Sequence, residues 1–193
     1  MSRYCGDKDA KAILEAAEHW RQKGLLTNGS IFSEKSLWQL EHLKSLDQYF
    51  INQLDEGEGN FFDKLALQLA PTDPEVKQLT GEILWVMFLC PSNIGEEKKR
   101  EGIRTIWGWS QEPLPEDSPW LSDATLAGVG SAGMGYNNLR WRELIFVIRL
   151  MMSLKQLSGS ERESLLNDGW ALAKWLEQIP ECDTRQFRHM MLF

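Results

Sequence analysis

The stretch GVGSAGMGYNNLRWRELIF, residues 128–146, decides between two folds. Its first six residues, with Gly128, Gly130 and Gly133, spell G-x-G-x-x-G. In a dinucleotide-binding α/β fold that fingerprint follows a strand, opens a helix, and is answered by an acidic residue about 20 positions further on. Neither neighbour is right here. Residues 122–127 read as helical, and residues 148–153 (IRLMMS) hold no acid. The G-K-[ST] ending of a phosphate-binding P-loop occurs nowhere in the chain. The loop therefore reads as a helix-to-helix connection in which glycine permits close backbone approach. It opens the longest predicted helix, residues 135–157. A smaller functional reading stays open: a glycine loop ahead of a helix offers free N–H groups, and Asn137, Asn138, Arg140 and Arg142 follow. Such a start could hold a phosphate or a carboxylate.

Helical patterning continues on both sides. Residues 9–26 space Ile13, Leu14, Ala17, Trp20 and Leu25 near a 3.6 period, with Gly24 as a stop signal. Ser33 reads as an N-cap for a helix over residues 36–54, whose leucines form one stripe. Residues 55–60 are a polar turn, and 61–70 a short helix. Thr72-Asp73-Pro74-Glu75 is a helix start, with Asp73 as cap and Pro74 at the first position. That helix runs apolar on all faces and stops before Pro91, which places its end in the core. Ser92-Asn93 opens the next helix. Residues 112–120 hold three prolines and form a loop, and 122–126 a short helix. A helix over residues 161–179 ends at Pro180, and Asp183 caps a last helix from Thr184. No β-branched alternation between turn signals appears anywhere. The expectation is an all-α fold: one globular domain, residues 1–193, of about eight or nine helices.

Composition fits a soluble globular chain, at 42% hydrophobic and 25% charged. No apolar run approaches the roughly 20 residues that span a bilayer, and residues 1–7 lack the apolar centre of a signal peptide. The expected location is cytoplasmic, without membrane contact. Cys5, Cys90 and Cys182 are too far apart for a C-x-x-C metal or redox pair. The net charge of -7 lies entirely in the first half of the sequence. Residues 98–193 are neutral and carry eight of the ten arginines, so an anionic partner is expected there. Nine tryptophans predict a core rich in aromatics.

No catalytic constellation emerges. Asp73-Pro74-Glu75-Val76-Lys77 contains the E-x-K of metal-dependent nucleases, but on a helix start and not on a strand. His19, His42 and His189 form no metal-binding spacing. No serine or cysteine sits in a nucleophile motif, so no cofactor is expected in this domain. The run from Glu96 to Glu101 reads as a solvated face, followed by Arg104, Trp107 and Trp109. Near the end, Arg185, Arg188 and His189 share one helix face. The apolar residues beside them, running to Phe193, predict continuation into a longer protein.

Five stretches carry a family resemblance: AAEHWRQKGLLTNGSIFS (16–33), SLWQLEHL (36–43), EILWVMFLCPSNIGEEKKREGIRTIWGWS (82–110), GSAGMGYNNLRWRELIFVIRLM (130–151) and TRQFRHMMLF (184–193). Together they resemble the N-terminal region of McrB-like AAA+ ATPases, the nucleotide-driven subunits of bacterial modification-dependent (type IV) restriction systems. The resemblance is one of overall sequence texture and includes no Walker motif, so no motor residue carries over. It implies a non-catalytic N-terminal domain that selects a target, often modified DNA, ahead of an AAA+ motor. The candidate contact residues are Asn137, Asn138, Arg140, Trp141, Arg142, Arg185 and Arg188. The alternative is a protein-interaction or assembly module that docks on the downstream motor domain or on a partner subunit.

Overall fold

A computed structural model describes residues 10–53 and 59–192. Among these residues the chain is all-α, with no strand and a single isolated parallel bridge between Pro91 and Gly130. Eight helices have seven or more residues: α1 (Lys11–Trp20), α2 (Leu40–Leu46), α3 (Phe61–Leu69), α4 (Pro74–Phe88), α5 (Glu96–Gly108), α8 (Arg140–Gln156), α9 (Gly159–Asn167) and α10 (Gly169–Leu176). Three shorter ones complete the series: α6 (Asp123–Leu126), α7 (Gly133–Asn138) and α11 (Phe187–Met191).

Two helices form the centre. From Gln78 to Phe88 every residue of α4 is buried, and so is every residue of α8 from Glu143 to Ile148. A helix apolar on all faces is stable only with neighbours on all faces. α5 packs along α4, α2 touches both α4 and α8, and α1 lies against α6. Of the nine tryptophans, Trp20, Trp38, Trp85 and Trp107 are in the core, and Trp109, Trp120, Trp141 and Trp175 pack against it. Trp170 is 84% exposed.

Several helix boundaries differ from the sequence expectation, each for a local reason. The helix expected from residue 36 begins at Leu40, because residues 30–38 are gathered on a carboxylate of α4. Ser33 is consequently no cap: its own N–H donates to the Ser30 hydroxyl at 2.9 Å. α1 runs directly into a π-helical turn, Arg21–Leu26, as does α2 at Asp47–Ile51. α5 starts at Glu96 after Gly95, not at Ser92. The single long helix expected over 135–157 is two, broken at Leu139 (φ -114°, ψ 35°). The helix expected over 161–179 is also two. Asp168 ends α9 and caps α10, accepting from the N–H groups of Trp170 and Ala171 at 3.0 Å each. Asp183 lies inside a 3-10 turn, Cys182–Thr184, and the last helix starts only at Phe187.

The glycine loop is a backbone clasp. Val129 N–H donates to the Cys90 carbonyl at 2.8 Å, and Ser92 N–H to the Gly130 carbonyl at 2.8 Å. Gly128 has φ +73°, and a Cβ there would lie 2.3 Å from the Pro91 carbonyl oxygen. The buried Lys99 ammonium seals the junction by donating to the carbonyls of Pro91 (2.5 Å) and Leu126. The first N–H groups of the loop are thus turned to protein carbonyls and not to a phosphate.

Candidate functional site

The break at Leu139 positions the candidate site. It lets Tyr136 enter the core, where its hydroxyl donates to the Met87 carbonyl at 2.7 Å. It also sends Arg140, the first residue of α8, toward α3 and the end of α4. The Arg140 guanidinium carbon lies 5.7, 5.8 and 5.3 Å from the ring centres of Phe61, Phe62 and Phe88. These distances are within cation–π range. Phe61 and Phe62 meet edge to face at 5.2 Å, and Gly102 of α5 leaves room for Phe62: a Cβ there would be 3.3 Å from Phe62 Cζ.

Arg140 stands between two open clefts that share Ile94 and Lys98 as well. The larger, of about 610 Å³, runs along the start of α5 from Asn93 to Lys98. The smaller, of about 380 Å³, lies over Phe62, Phe88 and Gly102 and is edged by Glu101 and Thr105. Arg140 forms no ion pair or hydrogen bond among the described residues, and its Nε is buried without a partner. Burial draws its pKa below the ordinary arginine value, and the neighbouring Tyr136 opposes that shift. A guanidinium keeps its charge regardless. A half-buried cation with unused donors and aromatic walls is suited to an anion.

The other expected contact residues fall as follows. Asn137 lies in α7, and Asn138, at its end, is exposed. Trp141 is half-buried and carries the exposed Arg142 guanidinium over its ring at 4.9 Å. Arg185 faces inward, 3.9 Å from Glu143 and 3.6 Å from Glu181. Arg188 is half-buried, its Nε donating to His189 Nε2 at 3.3 Å. One residue joins the two arginine-bearing segments. Buried Glu143, one turn into α8, accepts from the N–H groups of Gln186 (3.3 Å) and Phe187 (3.1 Å). The start of α8 and the start of α11 are therefore adjacent.

The arginine excess of the second half is partly internal. Arg100, Arg104, Arg149 and Arg185 sit on carboxylates, while Arg140, Arg142, Arg162 and Arg188 have no ion pair among the described residues. The sequence does not single out the rings around Arg140, namely Phe61, Phe62 and Phe88.

No histidine cluster forms. His19 stacks on Trp120 with ring centres 4.3 Å apart, and burial lowers its pKa. Among the described residues no three His, Cys, Asp or Glu side chains are grouped to hold a metal. No described helix is long and apolar enough to cross a membrane. Fold and site together define an all-α protein with an arginine–aromatic cleft. Comparison with protein-family models, with curated proteins and with solved structures finds no match.

Proposed function

We propose that this chain is a non-catalytic recognition domain of the McrB-like kind, which contacts DNA where the starts of α8 and α11 meet. The observation that supports it is the Glu143 clamp. It ties the backbone of Gln186 and Phe187 to α8, so that Arg142 and Arg188 each lie one residue from the joined positions, and neither has an ion pair among the described residues. Trp141, carrying Arg142, adds a flat surface of the type used against bases. Arg185 in this reading positions the segment through Glu143 and does not touch the target. The chain's overall acidity demands a local contact, because the protein as a whole repels a polyanion.

The test is DNA binding by the isolated chain across a salt series, on duplexes with and without modified bases. Two phosphate contacts correspond to a log–log salt slope of about -2, which Arg142→Ala with Arg188→Ala should remove. Absence of binding at low salt defeats the DNA reading.

A second reading has its own observation. Trp170, at the start of α10, is 84% exposed, and exposed tryptophan is frequent at protein-binding hot spots. In that reading the domain is an assembly module that docks on an AAA+ motor region or a partner subunit. It predicts complex formation with that region that Trp170→Ala weakens. A chain that stays monomeric and ignores the motor region would rule it out.

A further inference from the structure

We propose that the paired clefts at Arg140 form a binding site for a small organic anion with a single charged head and a flat apolar body. This goes beyond the recognition of DNA, and either can fail without the other.

The argument starts from the guanidinium. Arg140 is held against three phenylalanine rings, with its Nε buried and no acceptor for its donors among the described residues. An unmet charged donor in a protein interior is costly, and interiors rarely leave one without a partner. Arg140 lines both clefts, so an acceptor can reach its outer Nη donors from solvent while Nε stays buried. Lys98, which lines both clefts, brings a second cation to the same place. A carboxylate or a phosphate monoester satisfies Arg140 in a paired geometry.

The walls select the remainder of the ligand. Phe62, Phe88 and Ile94 give the smaller cleft an apolar floor of aromatic character, and Thr105 offers a hydroxyl at its edge. A cleft of about 380 Å³ is at the small end of ligand sites and suits one ring and not an extended chain. The rim sets the charge. Glu96, Glu97 and Glu101 line the two clefts, and Glu97 is already paired with Arg100 at 2.9 Å. Carboxylates on the rim repel a polyanion such as a nucleic-acid backbone, and a ligand with one head group feels them least. Carboxylate and phosphate share this chemistry, and the test separates them.

The experiment is a titration of the full chain, followed by calorimetry and by tryptophan fluorescence, with four probes: phenyl phosphate, benzoate, inorganic phosphate and benzyl alcohol. Saturable binding of phenyl phosphate or benzoate is expected, with inorganic phosphate and benzyl alcohol each weaker by on the order of tenfold or more. The tighter of the two aromatic anions identifies the head group. Arg140→Met keeps the side-chain stem between the rings and removes the charge, and should weaken binding by a similar factor. Lys98→Ala changes an exposed residue, leaves folding intact, and should weaken binding severalfold. The proposal is overturned if inorganic phosphate binds as tightly as phenyl phosphate. Binding by Arg140→Met and Lys98→Ala as tight as by the native chain, or no saturable binding by either aromatic anion, overturns it as well.

Discussion

Trp38 Nε1 donates to Glu82 Oε2 at 2.6 Å, and both residues are fully buried. The other carboxylate oxygen accepts from the N–H of Ile31 at 2.8 Å, from the N–H of Phe32 at 3.3 Å and from the Ser30 hydroxyl. One side chain of the central helix thus satisfies four donors of a segment that has no secondary structure of its own. Without it, residues 30–38 would leave buried N–H groups unmet, so this carboxylate takes the part that a helix ladder plays elsewhere. Glu82→Ala should therefore destabilise the protein by about 3 kcal/mol or more, measured by urea unfolding. A loss below about 1 kcal/mol would mean that water replaces the carboxylate freely.

The same residue predicts a pH effect. Burial raises the Glu82 pKa from 4.5 to about 7, against the pull of its four hydrogen bonds. A pKa raised on folding means that the folded state holds the proton longer. The contribution is complete below pH 4.5 and is lost as pH rises through 7. The displacement corresponds to about 3 kcal/mol at most. Glu82→Gln mimics the neutral form and cannot titrate. Relative to the native chain its stability should rise between pH 5 and pH 7, as the native carboxyl ionises, and titrations common to both chains cancel. Lys155, lowered to about 7 by burial, acts in the opposite sense above that window. A difference constant across pH 5–7 would place the Glu82 carboxyl at an ordinary pKa.

Lys155 supplies a second prediction. Its ammonium donates to the carbonyls of Gly24 (2.5 Å), Leu25 (3.1 Å) and Thr27, and to Asn28 Oδ1 at 3.0 Å. A cation at the end of the turn Arg21–Leu26 satisfies carbonyls left without partners and meets the negative end of the helix dipole. Lys155→Met preserves the stem and strips these contacts. A loss of about 2–4 kcal/mol is expected, with faster amide exchange in residues 21–28 than elsewhere. Uniform exchange across the chain would show that the ammonium does not hold this end.

The roles of Glu82 and Lys155 also explain what the sequence made legible. Periodicity carried the all-α class and the buried α4, because an apolar helix announces itself residue by residue. The glycine loop joins α6 to α7, as its neighbours in sequence imply by lacking the strand and acid that phosphate chemistry needs. The start of α2 is not legible from periodicity, because its competitor, Glu82, lies more than 40 residues away. The inward turn of Arg185 had the same cause: its partner Glu143 is brought near only by folding. Arg140 stood out in sequence as an arginine, but its three aromatic walls come from α3 and α4, so the cleft itself was not visible.

Asp168 tests a smaller local rule. It divides the helix expected over residues 161–179 by accepting from two N–H groups of α10. Asp168→Ala should destabilise by about 1 kcal/mol, as loss of an N-cap does. Asp168→Asn should recover most of it, because the amide oxygen still accepts. If neither substitution moves the unfolding midpoint, α9 and α10 unfold apart from the core and lie outside its cooperative transition.

Gly128 bears on the reading of the whole G-x-G-x-x-G stretch. At φ +73° any other residue is strained, and a Cβ would come 2.3 Å from the Pro91 carbonyl oxygen, a backbone atom that cannot rotate away. Gly128→Ala must therefore pull the clasp apart, with loss of the Val129 to Cys90 and Ser92 to Gly130 hydrogen bonds. A drop of about 2–4 kcal/mol is expected, from strain and lost hydrogen bonds together. Gly130 is the control. A Cβ there meets nothing within 4 Å, and its φ is not positive. Gly130→Ala should therefore be within about 0.5 kcal/mol of the native chain. A phosphate-cradling loop would give another pattern, with both substitutions tolerated for folding and both harmful to nucleotide binding. Thermal unfolding of the two variants, with and without ATP, separates these outcomes. Comparable stability of both variants, together with a nucleotide-dependent shift in the native chain, would return the stretch to its nucleotide reading.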